Sequence, residues 1–392
     1  MTRSWLFTSE SVSDGHPDKL ADRISDHVLD RCLELEPRAR VACETLLTAG
    51  FVVLAGEFRL AREADLERLQ GELEALARDV LRSTGYHAGF PGIDPDRCEV
   101  LVRIHGQSVQ IAKGVDREGG ALGAGDQGLM FGHACDETPE CMPLPIQLAH
   151  RLMRRQRELR RLPEFAWLRP DAKSQVSVRY MDGRPAQVET VVLSTQLQGE
   201  ISDAEVESEI VRHLIEPVIP ESLRAPQMRC LVNPAGRFEI GGPQGDTGLT
   251  GRKIIVDTYG ASCPHGGGAF SGKDASKVDR SAAYAARWVA KNLVAAGAAT
   301  RCTVQLAYAI GRPDPVSIRV DAHGTQQVDE DRLEQAVREV FDLTPAAIIR
   351  DLDLLRPIYA ATAAYGHFGR EEPGFSWEQT NRVDDLRTAL RL

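Results

Sequence analysis

The sequence lacks the features that mark a secreted or membrane-spanning protein. Residues 1–7 run into polar sequence without the apolar stretch of a signal peptide, and no apolar run approaches the length of a membrane span. The eight cysteines include no Cys-x-x-Cys pair, and several lie inside apolar runs. We therefore expect a cytoplasmic protein whose cysteines are reduced core residues, with a zinc site as the alternative.

Excess positive charge is also missing. The chain carries 57 acidic and 47 basic residues, which gives a formal net charge of -10. A negative field disfavours nucleic acid and anionic membranes, so we expect neither as a partner. With 392 residues, 42% hydrophobic and 27% charged, the composition predicts a globular chain of two or three domains.

Lysine is scarce and unevenly distributed. Only 7 of the 47 basic residues are lysine, and 4 of these 7 fall within residues 253–291. The lysine ammonium is a compact, rotatable charge that suits phosphate oxygens. The cluster therefore predicts a site for a polyanion. The alternative is an arginine-biased composition in which lysines remain by chance.

The spacing of apolar residues predicts a mixed fold, with strands and helices in each third of the chain. Helices are expected from Pro17 through Cys32 and near 62–83, 145–161, 202–216, 276–293 and 329–353. Strands are expected near 41–47, 51–57, 98–104, 174–180, 186–194, 229–233, 253–258, 301–310 and 315–321. The basic helix at 145–161 is expected to have a solvated face. The long glycine-rich segment 105–128 predicts a mobile lid over the site.

Residues 265–274, HGGGAFSGKD, suggest a phosphate-binding loop between a strand and a helix. From Gly267 they match the P-loop pattern except at Asp274, where Ser or Thr would hold magnesium. An acid there would repel phosphate unless it faces away. Asp257, the candidate for the second P-loop motif, precedes the loop instead of following it. These departures favour phosphate contact of another kind over a P-loop nucleoside triphosphatase.

Carboxylates accompany the lysines. Asp279 falls in the first turn of the helix after Lys273 and Lys277, where it could bind a metal together with polyphosphate or only complement the helix dipole. Glu44 and Glu57 stand within or at the end of apolar strands. Each therefore needs a cation, a set of hydrogen bonds or an outward-facing position.

Five segments together resemble the S-adenosylmethionine synthetase family. They are GHPDK at 15–19, GAGDQG at 123–128, DAKSQ at 171–175, GGPQGD from 241 and HGGGAFSGKD at 265–274. The likeness extends from Leu6 to about Trp377. It implies an α+β fold of three similar sheet-plus-helix domains in a pseudo-threefold arrangement, each sheet being covered by helices on one face. The domains are expected at 4–108, 122–238 and 240–382.

The resemblance implies a methionine adenosyltransferase that converts ATP, L-methionine and water to S-adenosylmethionine, phosphate and diphosphate. The implied cofactors are two Mg²⁺ per site and K⁺. The implied assembly is a homodimer with shared active sites, and further a homotetramer. His16 and Glu57 would come from the chain opposite the main lysines. A non-catalytic protein that binds nucleotide or S-adenosylmethionine is the alternative from another class.

The family's site residues carry over by matching motif. The implied catalytic residues are His16, Lys173, Arg252, Lys273 and Lys277. The implied ATP contacts are His16, Asp126, Asp171, Lys173, Arg237, Phe238, Asp246, Arg252, Lys253, Ala269 and Lys273. The implied methionine contacts are Glu57, Gln107, Asp246 and Lys277. The implied metal ligands are Asp18 and Asp279 for magnesium and Glu44 for potassium.

One segment departs from the family pattern. After Gln107-Ser108 the family usually continues Pro-Asp-Ile, whereas this chain has Val109-Gln110-Ile111. The change removes a rigid proline and an acid from the predicted lid, which leaves its gating motion and any role of that acid open.

Overall fold

A computed structural model describes residues 3–107 and 123–392. Most of the predicted lid, with Val109 and Gln110, lies outside the described residues. The strands are β1 (Ser4–Val12), β2 (Arg40–Thr48), β3 (Phe51–Arg59), β4 (Glu99–Gly106), β5 (Gly128–Cys135), β6 (Leu168–Met181), β7 (Arg184–Leu197), β8 (Arg224–Val232), β9 (Gly248–Leu249), β10 (Arg301–Tyr308) and β11 (Ser317–Asp321). The α-helices of four or more residues are α1 (Pro17–Leu35), α2 (Glu63–Thr84), α3 (Leu144–Leu159), α4 (Asp203–Ile210), α5 (Ile254–Asp257), α6 (Val278–Ala295), α7 (Glu330–Val340), α8 (Pro345–Asp351) and α9 (Val383–Leu390).

The described strands form three sheets with helices packed on them. The first sheet has the order β4-β3-β2-β9, the second β1-β6-β7-β8 and the third β11-β10-β5. Helices α1 and α2 contact the first sheet, α3 contacts the second, and α6 and α7 contact the third. This mixed architecture confirms the predicted α+β fold class. In the described part of the chain, no helix is both long and apolar enough to cross a bilayer.

Each sheet takes an edge strand from another third of the chain. Strand β1 pairs antiparallel with β6 along its whole length, from Ser4 opposite Met181 to Val12 opposite Lys173. Strand β5 pairs antiparallel with β10, and the short β9 pairs with β2. Residues 4–12 thus complete the second sheet, residues 128–135 the third sheet and residues 248–249 the first.

Helix α1 forms as its sequence predicts. His16 caps it in an extended conformation, its Nδ1 accepts the backbone N–H of Asp18, and Pro17 occupies the first turn. The apolar face is fully buried and comprises Leu20, Ile24, Val28 and Cys32. Burial of this face places His16 and Asp18 at the amino end of a fixed helix.

The predicted strand at 253–258 is wrong. Residues Ile254–Asp257 form the one-turn helix α5, in which the N–H of Asp257 donates to the Lys253 carbonyl at 2.9 Å. The β-branched run Ile254-Ile255-Val256 favours a strand locally, but the buried hydrogen bonds of Asp257 hold the turn. The glycine-rich loop at 265–274 therefore follows a helix, whereas the sequence suggested a strand before it.

The prediction of a solvated basic face on α3 is also wrong in part. Arg157 and Arg160 near the carboxyl end of this helix lie 3.1 and 3.0 Å from the carboxylate of Asp14. Asp14 is fully buried, so these cations neutralise an internal acid. The ion pairs join helix α3 to the segment that precedes α1.

The cysteines agree with the sequence prediction. All eight are free thiols, and all except Cys141 and Cys230 are buried. Burial raises the pKa of the Cys32 thiol to about 12, so this group is an unreactive part of the core.

Candidate active site

The first cluster of predicted site residues lies at the amino end of α1. Asp18 is 1% exposed, and its Oδ1 accepts the backbone N–H of Leu249 at 3.0 Å. Its Oδ2 accepts a hydrogen bond from Nζ of Lys253, and Nε of Arg252 lies 3.8 Å from Oδ1. Burial favours the neutral acid, but Lys253 and the Leu249 N–H hold the pKa of Asp18 below its usual value. The carboxylate therefore fixes two neighbouring cations.

His16 is a neutral hydrogen-bond donor in this setting. Burial, followed by the charges of Lys253 and Lys173, lowers the pKa of His16 to about 3. The Asp18 N–H donates to Nδ1 at 3.1 Å. The neutral ring therefore carries its proton on Nε2, which can donate to an oxygen of a bound ligand.

Strand β6 adds an acid and a cation. Asp171 is 5% exposed, and its Oδ2 accepts the Gly242 N–H at 2.8 Å. Burial raises the pKa of Asp171 to about 6, while the Gly242 N–H and Lys173 oppose the shift. Oδ1 of Asp171 is buried and has no hydrogen-bond partner within residues 3–107 and 123–392. Lys173, two residues further along the strand, is exposed. The end of the site at β6 therefore has a carboxylate oxygen without a hydrogen-bond donor and an ammonium group close by in sequence.

The second cluster is built on the glycine-rich loop. Nζ of Lys273 lies 2.7 Å from Oδ2 of Asp279, and both side chains are 22% exposed. Nζ of Lys277 donates to Oδ2 of Asp274. Asp274 also accepts the N–H of Val41 at 2.7 Å, so this acid faces the protein and leaves the loop's outer side to the lysines. Because Asp274 faces away from the outer side of the loop, it would not repel a phosphate bound there.

Glu44 and Glu57 lie on the open face of the first sheet. Both are exposed, and the register of β2 and β3 places them on the same side. Of the three possibilities from the sequence, the outward-facing position is therefore the one found. Oε1 of Glu57 lies 3.3 Å from Nε2 of His105. Partial desolvation raises the pKa of Glu44, while nearby Lys273 opposes the rise.

Other predicted residues have different surroundings. Asp126 and Asp246 are exposed and each accepts the N–H of the next residue. The guanidinium of Arg237 contacts Glu239 and the Ile201 carbonyl at 2.7 Å each, and the structure does not bring it into either cluster.

The last three predicted residues lie in backbone segments close to the site. Phe238 is half-buried, and its carbonyl accepts the Leu197 N–H at 2.9 Å. Ala269 lies against Gly251. The N–H of Gln107 donates to the Phe58 carbonyl at 3.1 Å, directly after Glu57.

The structure thus sorts the main site residues into two groups. The α1 group contains His16, Asp18, Asp171, Lys173, Arg252 and Lys253. The loop group contains Glu44, Lys273, Lys277 and Asp279. The expectation that His16 comes from the chain opposite the main lysines is wrong for Lys173 and Lys253, because their charges act on His16 within one chain. For Lys273 and Lys277 it stays a prediction.

The carboxylates fit a magnesium ion that arrives with its substrate. Among residues 3–107 and 123–392, no cluster of three or more His, Cys, Asp or Glu side chains could hold a metal by itself. Asp18 and Asp279 each supply one carboxylate beside a lysine. Protein-bound Mg²⁺ commonly uses one or two carboxylates and takes its other ligands from water and substrate phosphates.

Two supporting residues were not predicted from the sequence. Asp22 and Asp26 are fully buried on α1 and accept backbone N–H groups from the segments that carry Arg252 and Lys273. A signal was present, since aspartate recurs at every fourth position from 18 to 30. Residues at this spacing share one face of a helix.

Comparison with known proteins places the whole chain in one family. Models of the N-terminal, central and C-terminal domains of S-adenosylmethionine synthetase match residues 4–109, 121–238 and 240–379. Proteins named S-adenosylmethionine synthase from a Nitratiruptor species, a Sulfurovum species and Wolinella succinogenes are 54%, 55% and 53% identical. In each comparison 100% of both chains is covered. As its motifs predicted, the chain belongs to the S-adenosylmethionine synthetase family.

Proposed function

We propose that this chain makes S-adenosylmethionine from ATP, L-methionine and water, and that the α1 and loop groups hold the triphosphate of ATP. The methionine sulfur attacks C5′, a C–S bond forms as the C5′–O bond breaks, and the electron pair leaves with the triphosphate. Water then divides the triphosphate into phosphate and diphosphate. The protein is accordingly a methionine adenosyltransferase.

The paired lysines carry this proposal. Lys253 beside Asp18 and Lys273 beside Asp279 are partly exposed, while the neighbouring carboxylates fix their ammonium groups. A thioether needs no general base, whereas a departing polyphosphate needs positive charge already in place. The neutral His16 adds an N–H donor for O5′ or a phosphate oxygen. These residues suit stabilisation of a leaving group better than proton abstraction.

The other contacts follow from the family's motifs and their surroundings. ATP would contact Asp126, Asp171, Arg237, Phe238, Asp246 and Ala269, besides His16 and the cations of the site. The unused Oδ1 of Asp171 supports a contact with a ligand N–H or O–H group. Methionine would contact Glu57, Gln107, Asp246 and Lys277. Gln107 follows the strand that runs parallel to β3, which brings it near Glu57.

Enzymes of this family require a divalent cation. We assign two Mg²⁺ ions per site to Asp18 and Asp279 with substrate phosphates, and K⁺ to Glu44. Magnesium supplies charge that stabilises the leaving triphosphate. Lys253 and Lys273 orient the two carboxylates through their ion pairs. Glu44 stands on an open sheet face near Lys273, where a monovalent cation would balance a partly desolvated carboxylate.

The open sheet faces support association of two chains. Each sheet exposes a leucine, namely Leu6 on β1, Leu46 on β2 and Leu129 on β5. Glu44 and Glu57 share the exposed face of the first sheet with Leu46. A homodimer through such faces would cover apolar surface and complete sites from both chains, and two dimers would form a tetramer.

Product analysis tests the activity. Purified protein with ATP and Mg²⁺ should release phosphate and diphosphate in equal amounts only when methionine is added, with one S-adenosylmethionine formed per ATP consumed. Binding of S-adenosylmethionine without turnover would instead support the non-catalytic alternative. Phosphate release that does not depend on methionine would contradict both the proposed activity and the non-catalytic alternative.

A further inference from the structure

One face of α1 carries four aspartates that accept backbone N–H groups from segments between residues 249 and 360. The segments that donate these N–H groups differ from one aspartate to the next. Asp18 accepts the Leu249 N–H at 3.0 Å, Asp22 the Gly251 N–H at 2.9 Å, and Asp26 the Gly272 N–H at 2.8 Å. Asp30 accepts the N–H groups of Tyr359 and Ala360 at 2.9 and 2.8 Å.

Asp22 holds the segment that carries Arg252 and Lys253. Its Oδ1 captures Gly251 directly before the two cations, and its Oδ2 lies 2.7 Å from Nζ of Lys19. Lys19 also lies 2.5 Å from Asp257 at the end of helix α5. The three side chains are buried, so this segment is fixed at both ends from α1.

Asp26 holds the loop that carries Lys273. Its carboxylate captures Gly272 and forms a buried ion pair with Arg280 at 2.7 Å. The Arg280 guanidinium in turn donates to the carbonyls of Phe270 and Lys273 at 2.9 and 3.3 Å. Gly272 has φ +79°, and a Cβ there would lie 2.0 Å from the Cys43 carbonyl oxygen. Close packing and the ion pair therefore fix the backbone conformation of the loop.

We infer that Asp22 and Asp26 are positioning residues for adenosyl transfer, which set Lys253 and Lys273 for the leaving triphosphate without contacting substrate. The inference rests on the proposed role of these lysines in binding phosphate. Asp30 supplies a built-in comparison, because it captures N–H groups in the same way but holds a segment without a predicted site residue. A shift of about 1 Å in a positioned group can reduce rate by about a hundredfold.

The test compares Asp22→Asn, Asp26→Asn and Asp30→Asn in the full-length protein. Thermal unfolding, kcat, the KM for methionine and the fraction of triphosphate released uncleaved are measured for each. Asp22→Asn and Asp26→Asn should lose about tenfold to a hundredfold in kcat with the KM for methionine within twofold, and should release intact triphosphate. Asp30→Asn should lose thermal stability while keeping wild-type kcat and product ratio.

Two further variants keep the outcome decisive. If Asp26→Asn does not fold because Arg280 is left unpaired, Asp26→Asn with Arg280→Gln replaces it, and the same kinetic loss is expected since the guanidinium that holds the loop is gone. Lys273→Ala is measured in parallel and should lose roughly two to three orders of magnitude in rate. A kcat that follows the unfolding temperature in all three Asn variants would overturn the positioning role. A harmless Lys273→Ala would overturn the site assignment itself.

Discussion

At the scale of single residues, the sequence singled out charges for the proposed site but did not show how they pair. Its motifs singled out Asp18, Lys253, Lys273 and Asp279. Only the fold shows that each lysine lies against one of the carboxylates. Lys19, next to Asp18, has the same residue type as Lys253 but is buried between two acids. Residue type therefore suggests the chemistry, and burial decides which lysines can reach a ligand.

The low pKa of His16 predicts a pH-dependent contribution to stability. Its folded pKa of about 3 lies below the ordinary value of 6.5, so the native state binds fewer protons between these values. The contribution is complete above about pH 6.5 and is lost as pH falls towards 3. Between pH 7.5 and pH 5, the free energy of unfolding in urea should fall more for wild type than for His16→Asn.

Asparagine is a suitable replacement because it retains a helix-capping side chain but does not titrate. The other buried histidines are present in both proteins, so their effects cancel in the comparison. Equal losses of stability would show that His16 titrates near its ordinary pKa.

The proposed potassium site predicts a cation dependence at Glu44. Replacing potassium by a bulky organic cation should lower turnover in the wild type and scarcely in Glu44→Gln, because the variant no longer carries the carboxylate that attracts the ion. Steady-state kinetics at saturating substrates measures the effect. Glu10→Gln, an exposed carboxylate on another sheet, should respond like wild type. Equal responses of wild type and Glu44→Gln would remove Glu44 as the ligand.

At the scale of elements, the periodicity of the sequence predicted those helices and strands that local contacts stabilise. Helix α1 shows apolar residues at helical spacing and was predicted, whereas strand β1 was missed. The partner of β1 is β6, more than 160 residues later in the chain, and its outer positions include the polar Thr8 and Glu10. The turn at Ile254–Asp257 was likewise mistaken for a strand because its stabilising partner Lys19 is remote in sequence.

The packing of α6 on β5 depends on a glycine. A Cβ on Gly132 would lie 2.0 Å from the backbone carbon of Ala286, which a rigid strand and helix cannot accommodate without separating. Gly132→Ala should therefore destabilise the fold by about 1–3 kcal/mol or more. Gly71→Ala on α2, where nothing lies within 4 Å, should stabilise by roughly 0.5–1 kcal/mol. Urea unfolding checks both, and similar values for the two variants would contradict the steric argument.

At the scale of the whole molecule, the two groups predict complementation between chains. If the α1 group of one chain works with the loop group of another, His16→Ala and Lys273→Ala proteins should regain activity after unfolding and reassembly together. Random mixing gives about half heterodimers, each with one site free of both lesions, so recovery should approach about one quarter of wild-type sites. Turnover per chain measures it, with mass spectrometry to confirm the heterodimers.

A mixture of Lys273→Ala and Asp279→Ala is the matched control. Both lesions lie in the loop group, so every site in their heterodimer carries one of them and activity should stay at background. Background activity in the first mixture as well would confine the site to a single chain.

The exchange of edge strands between the three sheets also sets the order in which the protein can be completed on the ribosome. Strand β1 is synthesised first but cannot pair until its partner Leu168–Met181 has been made. The first sheet is likewise incomplete until Gly248–Leu249 has been made. Nascent chains therefore carry unpaired strand edges through much of translation, which is when such edges invite aggregation. A chain that ends before Gly248 would not leave a complete first sheet behind, because the truncation removes its closing strand.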